Sequence, residues 1–419
     1  MTNENNIKIK FKPESYVSNI IKLLTLTQPN KVLPIDSKLY SIDEKINNSK
    51  TVFTDDECST VGLSSNPTSF SSNESAEEYF SSNKYFFSPN KFNMYSILGS
   101  GTFGTVFLAE YEDGNRYAVK SIQKSKISTE DMEQIMNEKN ILIQMSGPFV
   151  LQLYGTCQTK NELYFVTEYL DCGNLYNAIY NGVRLTHEMC VFYGTSIILG
   201  LDFIHSKNIV YRDIKPENIM IRSNGYPCIV DFGLSKQLPY EKLIGNNEMR
   251  NYSKCYTLCG TPEYVAPELI LNSGYDDAVD IWAFGVLLYE MIFRKTPFID
   301  NIHENDITKM FINIVTTGNN GILLSIKTDK RTDGTPNARN LLTQIFTGKR
   351  EERRGPNNTT ASLLKHPYFL SMNMTMDMES IQKQAYIPSV IQSKFLGEDI
   401  NTANTIKEYY DDQKRFAAF

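Results

Sequence analysis

The 419-residue chain has no run of about 18 uninterrupted apolar residues, so a membrane-spanning helix is not expected. It also lacks any basic run of five or more. With a formal net charge of −6 and a sequence pI near 5.5, this argues against a general nucleic-acid binder. The seven cysteines are odd in number and scattered, with no C-x-x-C pair, which reads as reduced thiols in a cytoplasmic or nuclear protein. The start, Met1-Thr2-Asn3-Glu4, has neither a charged-then-apolar leader nor a glycine at position 2, so no secretory or myristoyl signal is expected. No arginine occurs before Arg116. At 41% hydrophobic the chain can fold, and its length exceeds one compact core.

Residues 1–91 are rich in Ser, Asn and charge, with clusters such as Ser64-Ser65-Asn66-Pro67-Thr68-Ser69. Such composition buries too little apolar surface to offset chain entropy, so a disordered extension is expected. Tyr16 to Leu26 is the exception, able to line a short helix. From Phe92 apolar strands follow one another. Leu98 leads into Gly99-Ser100-Gly101-Thr102-Phe103-Gly104, and Thr105-Val106 begins a strand rather than a helix. Glycines let backbone amides close over phosphates without side-chain clash. Asp113-Gly114 reads as a hairpin turn into Ala118-Val119-Lys120. Ser128, Glu130 and Asp131 open a helix with a cap and an acidic first turn, apolar at Met132, Ile135, Met136, Leu142 and Ile143. A long core-like helix runs from Leu185 to Ile204; His205 beyond it reads as structural.

The stretch that organises the rest is Val210-Tyr211-Arg212-Asp213-Ile214-Lys215-Pro216-Glu217-Asn218, with Asp231-Phe232-Gly233 beyond it. Its offsets suit phosphoryl transfer: Asp213 can accept a hydroxyl proton, Asn218 and Asp231 can hold a metal ion, and Lys215 adds a point charge. Asn224-Gly225 between two apolar triplets predicts a hairpin that brings Asn218 and Asp231 together.

These elements together resemble the eukaryotic protein kinases, whose pattern is H-R-D-x-x-x-x-N followed by D-F-G. Tyr211 stands for the usual histidine, a variant of the cyclic-nucleotide-dependent kinases within the AGC group. The resemblance covers Phe92 to Phe419. It implies an α+β fold with two lobes: a small, mainly antiparallel sheet lobe at about 92–168 and a larger helical lobe at about 171–369, followed by a tail at 370–419. It implies ATP and Mg²⁺ in the cleft. Leu98, the glycine loop with Ser100, Thr102 and Phe103, Val106, Ala118, Thr167, Glu168, Leu170 and Met220 would surround the nucleotide. Lys120 would pair with Glu138 and the phosphates. Thr257 matches an activation-loop phosphosite read by Arg212 and Lys236. Glu217, Glu263 and Glu290 match acids that receive substrate arginines, while Leu258 and Pro262 would help to form the pocket after the target hydroxyl. Thr261 with Lys215 marks a serine/threonine site. Glu268 and Arg353 match a buried ion pair, and Asp280 should bond catalytic-loop amides.

Three departures qualify the likeness. Gln134 stands where relatives carry a phosphate-reading histidine, and Asn174 where a glutamate would select arginine. The segment from Asp231 to Glu268 carries an insertion at about Leu243 to Tyr252. The chain ends on Phe416-Ala417-Ala418-Phe419, an F-x-x-F whose Phe416 and Phe419 would dock beside the Glu138 helix, as in the catalytic subunit of cAMP-dependent kinase. The N-terminal 91 residues, without arginine, resemble neither a basic pseudosubstrate nor a cyclic-nucleotide domain. Three readings therefore stand: a catalytic subunit held by a separate cyclic-nucleotide-binding regulatory subunit, an AGC kinase without such a partner, and a non-catalytic nucleotide-binding scaffold. In the first two the partners are proteins presenting serine or threonine, with basic residues upstream.

Overall fold

The computed structural model describes residues 87–101, 104–182, 184–238, 255, 257, 259–299, 307–317, 336–348, 350–353, 359–370 and 378–384. All of them lie in one of the two compact units into which the chain divides; the other unit, Ile21–Asn83, lies outside the described residues.

The small lobe is a five-stranded antiparallel sheet in the order β1-β2-β3-β5-β4. Its strands are β1 (Asn93–Ser100), β2 (Thr105–Glu110), β3 (Arg116–Gln123), β4 (Leu153–Gln158) and β5 (Glu162–Glu168). The β2–β3 turn forms as expected: Gly114 takes φ +80° and the Asp113 carboxylate accepts from Asn115 N at 2.9 Å. Val106 pairs with Lys120, and Ala118 with Thr167, so strand alternation puts all four on one face. Leu98 lies at the register shift between the Ile97–Phe107 and Gly99–Val106 pairs.

The expected boundary at 91 moves. Phe87 packs its ring against Phe92, Tyr111 and Tyr117 at 5.1–5.5 Å, so residues 87–91 belong to the folded lobe. Partly burying the Phe87 ring offsets the chain entropy lost in fixing this stretch.

Helix α1 (Thr129–Gln144) starts with a full capping box, in which Ser128 and Asp131 bond each other's backbone amides. Ile135, Glu138, Ile141 and Leu142 form its buried face. Met132, Met136 and Ile143, expected among its apolar positions, are exposed. At 100° per residue these three fall within 40° of one another on the opposite side.

In the large lobe, α2 (Leu175–Tyr180) is followed by α3 (His187–Ser206), capped by Thr186. By length and composition α3 could cross a membrane, but it is mostly buried inside this lobe and serves as its core. Short strands β6 (Ile209–Val210) and β9 (Lys236–Gln237) pair with each other. The hairpin of β7 (Ile219–Ile221) and β8 (Pro227–Ile229) has a five-residue turn, with Gly225 at φ +82°. Val230 N donates to Asn218 O at 3.0 Å, so the hairpin brings the two predicted metal-holding positions together. Helices α4 (Pro267–Ile270), α5 (Ala278–Phe293), α6 (Ile307–Thr317), α7 (Pro336–Ile345), α8 (Arg350–Arg353) and α9 (Pro367–Leu370) complete the lobe. Trp282 on α5 stacks on Phe298 and meets Phe346 edge-on. Beyond it α10 (Met378–Gln382) ends in a turn whose Gln384 donates to Pro148 O.

Candidate active site

The cleft begins at the glycine loop. Gly101 N donates to Gly104 O at 2.8 Å. A Cβ added to Gly104 would lie 2.0 Å from Ser121 O, so only glycine fits there. A Cβ on Gly99 would meet nothing within 4 Å, and one on Gly101 only Gly104 O at 3.9 Å. The loop therefore stands clear of the protein and leaves room for phosphates. Lys120 Nζ binds both Glu138 oxygens, at 2.7 and 2.9 Å, which places α1 against the sheet with the expected ion pair made. Glu138 is 4% exposed. Thr167 Oγ1 donates to Ala118 O at 3.2 Å at the rear of the cleft.

The catalytic loop hangs from Asp280. Its carboxylate accepts from Tyr211 N at 2.8 Å and Arg212 N at 2.7 Å, and it bonds His205 Nε2 at 2.8 Å. His205 in turn bonds Thr360, the structural role expected of it. Tyr211, at the family's histidine position, donates its hydroxyl to Val230 O and packs edge-on against Phe232. Arg212 and Asp231 take left-handed backbone, φ 70° and 59°, a strain of about 1–3 kcal/mol each that the surrounding bonds hold.

Asp213 is 3% exposed. Asn218 Nδ2 donates to its backbone oxygen at 2.9 Å and to Oδ2 at 2.7 Å, Lys215 Nζ lies 3.2 Å from Oδ2, and Thr261 Oγ1 donates to Oδ1 at 3.1 Å. Lys215 also donates to Thr261 Oγ1 at 2.9 Å. Burial raises the Asp213 carboxyl above its ordinary value, against the pull of Lys215 and with a further push from Asp231. A raised carboxylate is a better proton acceptor.

Because the Asn218 amide nitrogen is held by Asp213, its oxygen is the atom that can face a cation. With the Asp231 carboxylate it makes a hard oxygen donor pair that fits Mg²⁺, which takes one or two carboxylates plus phosphate and water oxygens. Among the described residues no group of three or more His, Cys, Asp or Glu is placed to hold a metal ion.

The activation segment is tied at both ends. Gln134, at the departure on α1, donates to Gly233 O at 2.7 Å, and Asn137 to Ser235 O at 2.8 Å. Arg212 Nε donates to Leu234 O, and its Nη1 to the Tyr275 hydroxyl at 2.7 Å. That hydroxyl donates to Thr257 O at 3.0 Å, so Arg212 and the exposed Thr257 share one bridging tyrosine. Lys236 sits on β9.

Of the three acids matched to substrate-arginine positions, Glu217 is exposed and Glu263 half-buried, while Glu290 is 3% exposed. Glu290 Oε1 accepts from Tyr180 OH at 2.6 Å, and Oε2 from Tyr264 OH. Burial, with repulsion from Glu217 and Glu263, pushes its carboxyl up to about 7. Asn174, where a glutamate would select arginine, instead caps α2 by accepting from Asn177 N at 3.0 Å. Pro262 opens the turn that carries Glu263 and Tyr264. Glu268 and Arg353 form the expected pair at 2.6 and 3.0 Å, with the guanidinium over Trp282. Thr102, Phe103, Leu258, Phe416, Phe419 and the insertion at 243–252 lie outside the described residues. The pairing of Tyr180 with Glu290 escaped sequence reasoning because it spans 110 positions and no periodicity marks it.

A family profile described as protein kinase domain matches residues 92–369. The chain belongs to the protein kinase family. Its relatives place this kinase in the AGC group. It is 33% identical over 302 residues to a cAMP-dependent protein kinase catalytic subunit of Arthrobotrys oligospora, covering 71% of this chain and 53% of that protein. Likewise it is 32% identical over 327 residues to the serine/threonine-protein kinase sgk-1 of Caenorhabditis elegans, covering 77% and 64%. With human protein kinase C delta type the identity is 33% over 344 residues, covering 79% and 47%. This kinase thus spans between about half and two thirds of the lengths of these relatives.

Proposed function

We propose that the protein transfers the γ-phosphoryl group of MgATP to serine and threonine hydroxyls of proteins. The observation that carries this reading is the buried Asp213, held by Asn218, Lys215 and Thr261 in a cleft where Lys120 and Glu138 are already paired. MgATP, when bound, supplies the phosphoryl group and a metal charge that neutralises it. Lys120 and the glycine-loop amides bind its phosphates, and Asn218 and Asp231 offer the metal ligands. Asp213 orients the acceptor hydroxyl and takes its proton at a carboxylate oxygen, while Lys215 places positive charge beside the moving group. Positioning and charge stabilisation do most of the work. Thr261, bonded to both Lys215 and Asp213, belongs to the serine/threonine reading. Phosphorylated Thr257 would add charge near Arg212 and Lys236 and order the segment.

Cyclic-nucleotide signalling through a regulatory subunit is the finer proposal, supported by the tyrosine at Tyr211 and the F-x-x-F at Phe416 to Phe419. An AGC kinase without that partner is the second reading. It is favoured by Asn174, whose side chain caps α2 instead of offering a carboxylate to arginine, and by Gln134, whose amide is bonded to the Gly233 carbonyl.

The test is phosphate transfer from MgATP to serine, threonine and tyrosine peptides, with and without upstream arginines, beside a Lys120→Met control. Transfer to serine or threonine peptides that the control loses is expected. No transfer after Thr257 phosphorylation would overturn the proposal. Inhibition by a cyclic-nucleotide-binding regulatory subunit, relieved by cyclic AMP, decides between the two readings.

A further inference from the structure

Arg222, the residue after β7, reaches from the large lobe to the last residue of the small one. Its Nε and Nη2 donate to the two oxygens of Glu168 at 2.9 and 2.8 Å, a bidentate pair whose side chains are 11% and 15% exposed. Nη1 donates to Pro148 O at 2.6 Å and Nη2 to Val150 O at 3.2 Å, with Cys228 Sγ 3.1 Å from Nη2. The segment carrying those carbonyls is fixed to β8, since Leu151 N donates to Ile229 O and Ile229 N to Phe149 O. Glu168 is closed in further by Gln152: Gln152 N donates to its Oε1 at 2.9 Å, and Glu168 N to Gln152 O at 3.1 Å.

The other end of the hinge is held from the same stretch of chain. Ile221 N donates to Gly173 O at 2.9 Å. Met220-Ile221-Arg222 thus puts three consecutive residues to three tasks: Met220 at the adenine position, Ile221 on the far end of the hinge, and Arg222 on the near end. The segment from Glu168 to Gly173, whose backbone would read the adenine edge, is suspended between these two anchors.

We propose that Arg222 is a positioning residue for adenine recognition, clamping Glu168 so that the hinge backbone is held ready for the base. The proposal rests on the nucleotide-binding reading above. A guanidinium suits the task because its planar fork matches a carboxylate at two points, which a lysine cannot do. Without the clamp Glu168 keeps its sheet bonds, but its side chain no longer ties β5 to the large lobe. The hinge then pays an ordering cost each time the base binds.

The test is equilibrium binding of adenosine, ATP and inorganic tripolyphosphate to the full chain and to Arg222→Ala, Arg222→Lys and Glu168→Gln, with thermal unfolding of each. Arg222→Ala should weaken adenosine and ATP about tenfold, equivalent to about 1.4 kcal/mol. Arg222→Lys should fall between it and the wild type, and tripolyphosphate, which lacks the base, should bind all variants alike. Where phosphate transfer is measured, the loss should appear in the ATP KM with little change in kcat. Adenosine affinity unchanged in Arg222→Ala would overturn the proposal. So would a weakening shared equally by adenosine and tripolyphosphate, which would mark a general structural role. Should Arg222→Ala not fold, Arg222→Lys and Glu168→Gln carry the same comparison. A wild-type chain that binds tripolyphosphate but neither adenosine nor ATP would overturn the nucleotide reading itself.

Discussion

Glu290 offers a pH-dependent stability that can be worked from its surroundings. In an unfolded chain its carboxyl titrates near 4.5; enclosed by Tyr180 and Tyr264 at 3% exposure, it is pushed up to about 7. The folded protein therefore holds this proton more tightly than the unfolded chain does. The contribution to stability is fully present below about pH 4.5 and is lost as pH rises through 7. The interval corresponds to about 3 kcal/mol at its limit, of which about 2–3 kcal/mol falls between pH 5 and pH 8. Glu290→Gln keeps the shape and a hydrogen-bonding head but removes the titration. Comparing the two proteins by thermal unfolding at pH 5 and pH 8, the wild type should lose on the order of 5 °C more than the variant over that range. Parallel pH profiles would refute the reasoning, because they would mean that Glu290 ionises in the folded state as easily as in water. A substrate arginine seated against this carboxyl would favour its ionised form. If the groove takes arginine there, the KM of such peptides should fall as pH rises through 7, and Glu290→Gln should flatten that profile too.

Asp213→Asn should lower kcat by at least about two orders of magnitude, or about 3 kcal/mol, with little change in unfolding temperature; an equally active variant in a steady-state peptide assay would defeat its assignment as proton acceptor. Glu268→Ala should destabilise by about 3–5 kcal/mol, because it leaves the fully buried Arg353 guanidinium without its carboxylate, and denaturant unfolding measures this. Gly104→Ala must displace the glycine loop or β3 to relieve a 2.0 Å approach to Ser121 O, so ATP affinity should fall severalfold by equilibrium titration.

Much of the candidate site's geometry was legible because it is built from residues at short, fixed separations. Asp213, Lys215 and Asn218 lie within six positions of one another, and local backbone geometry alone brings them together. The Asn224-Gly225 turn carried Asp231 to the same place, and the capping box at Ser128 set the start of the helix bearing Glu138. Other features were invisible. The burial of Ile141 in place of Met132 depended on which side of α1 meets the sheet, and the packing of Phe87 depended on Tyr111, just past β2, and Tyr117 on β3.

The sequence by itself determined which side chains are available for the proposed chemistry, and the hairpins and caps that present them. Each of those depends on bonding within one or two turns of chain. The tertiary structure decided the environments. It enclosed Glu290 between two tyrosines, turned Asn174 into a helix cap, gave Gln134 the Gly233 carbonyl and joined Arg222 to Glu168 across 54 positions. Burial and charge pairing follow from what lies adjacent in space, and only the packed chain defines those neighbours.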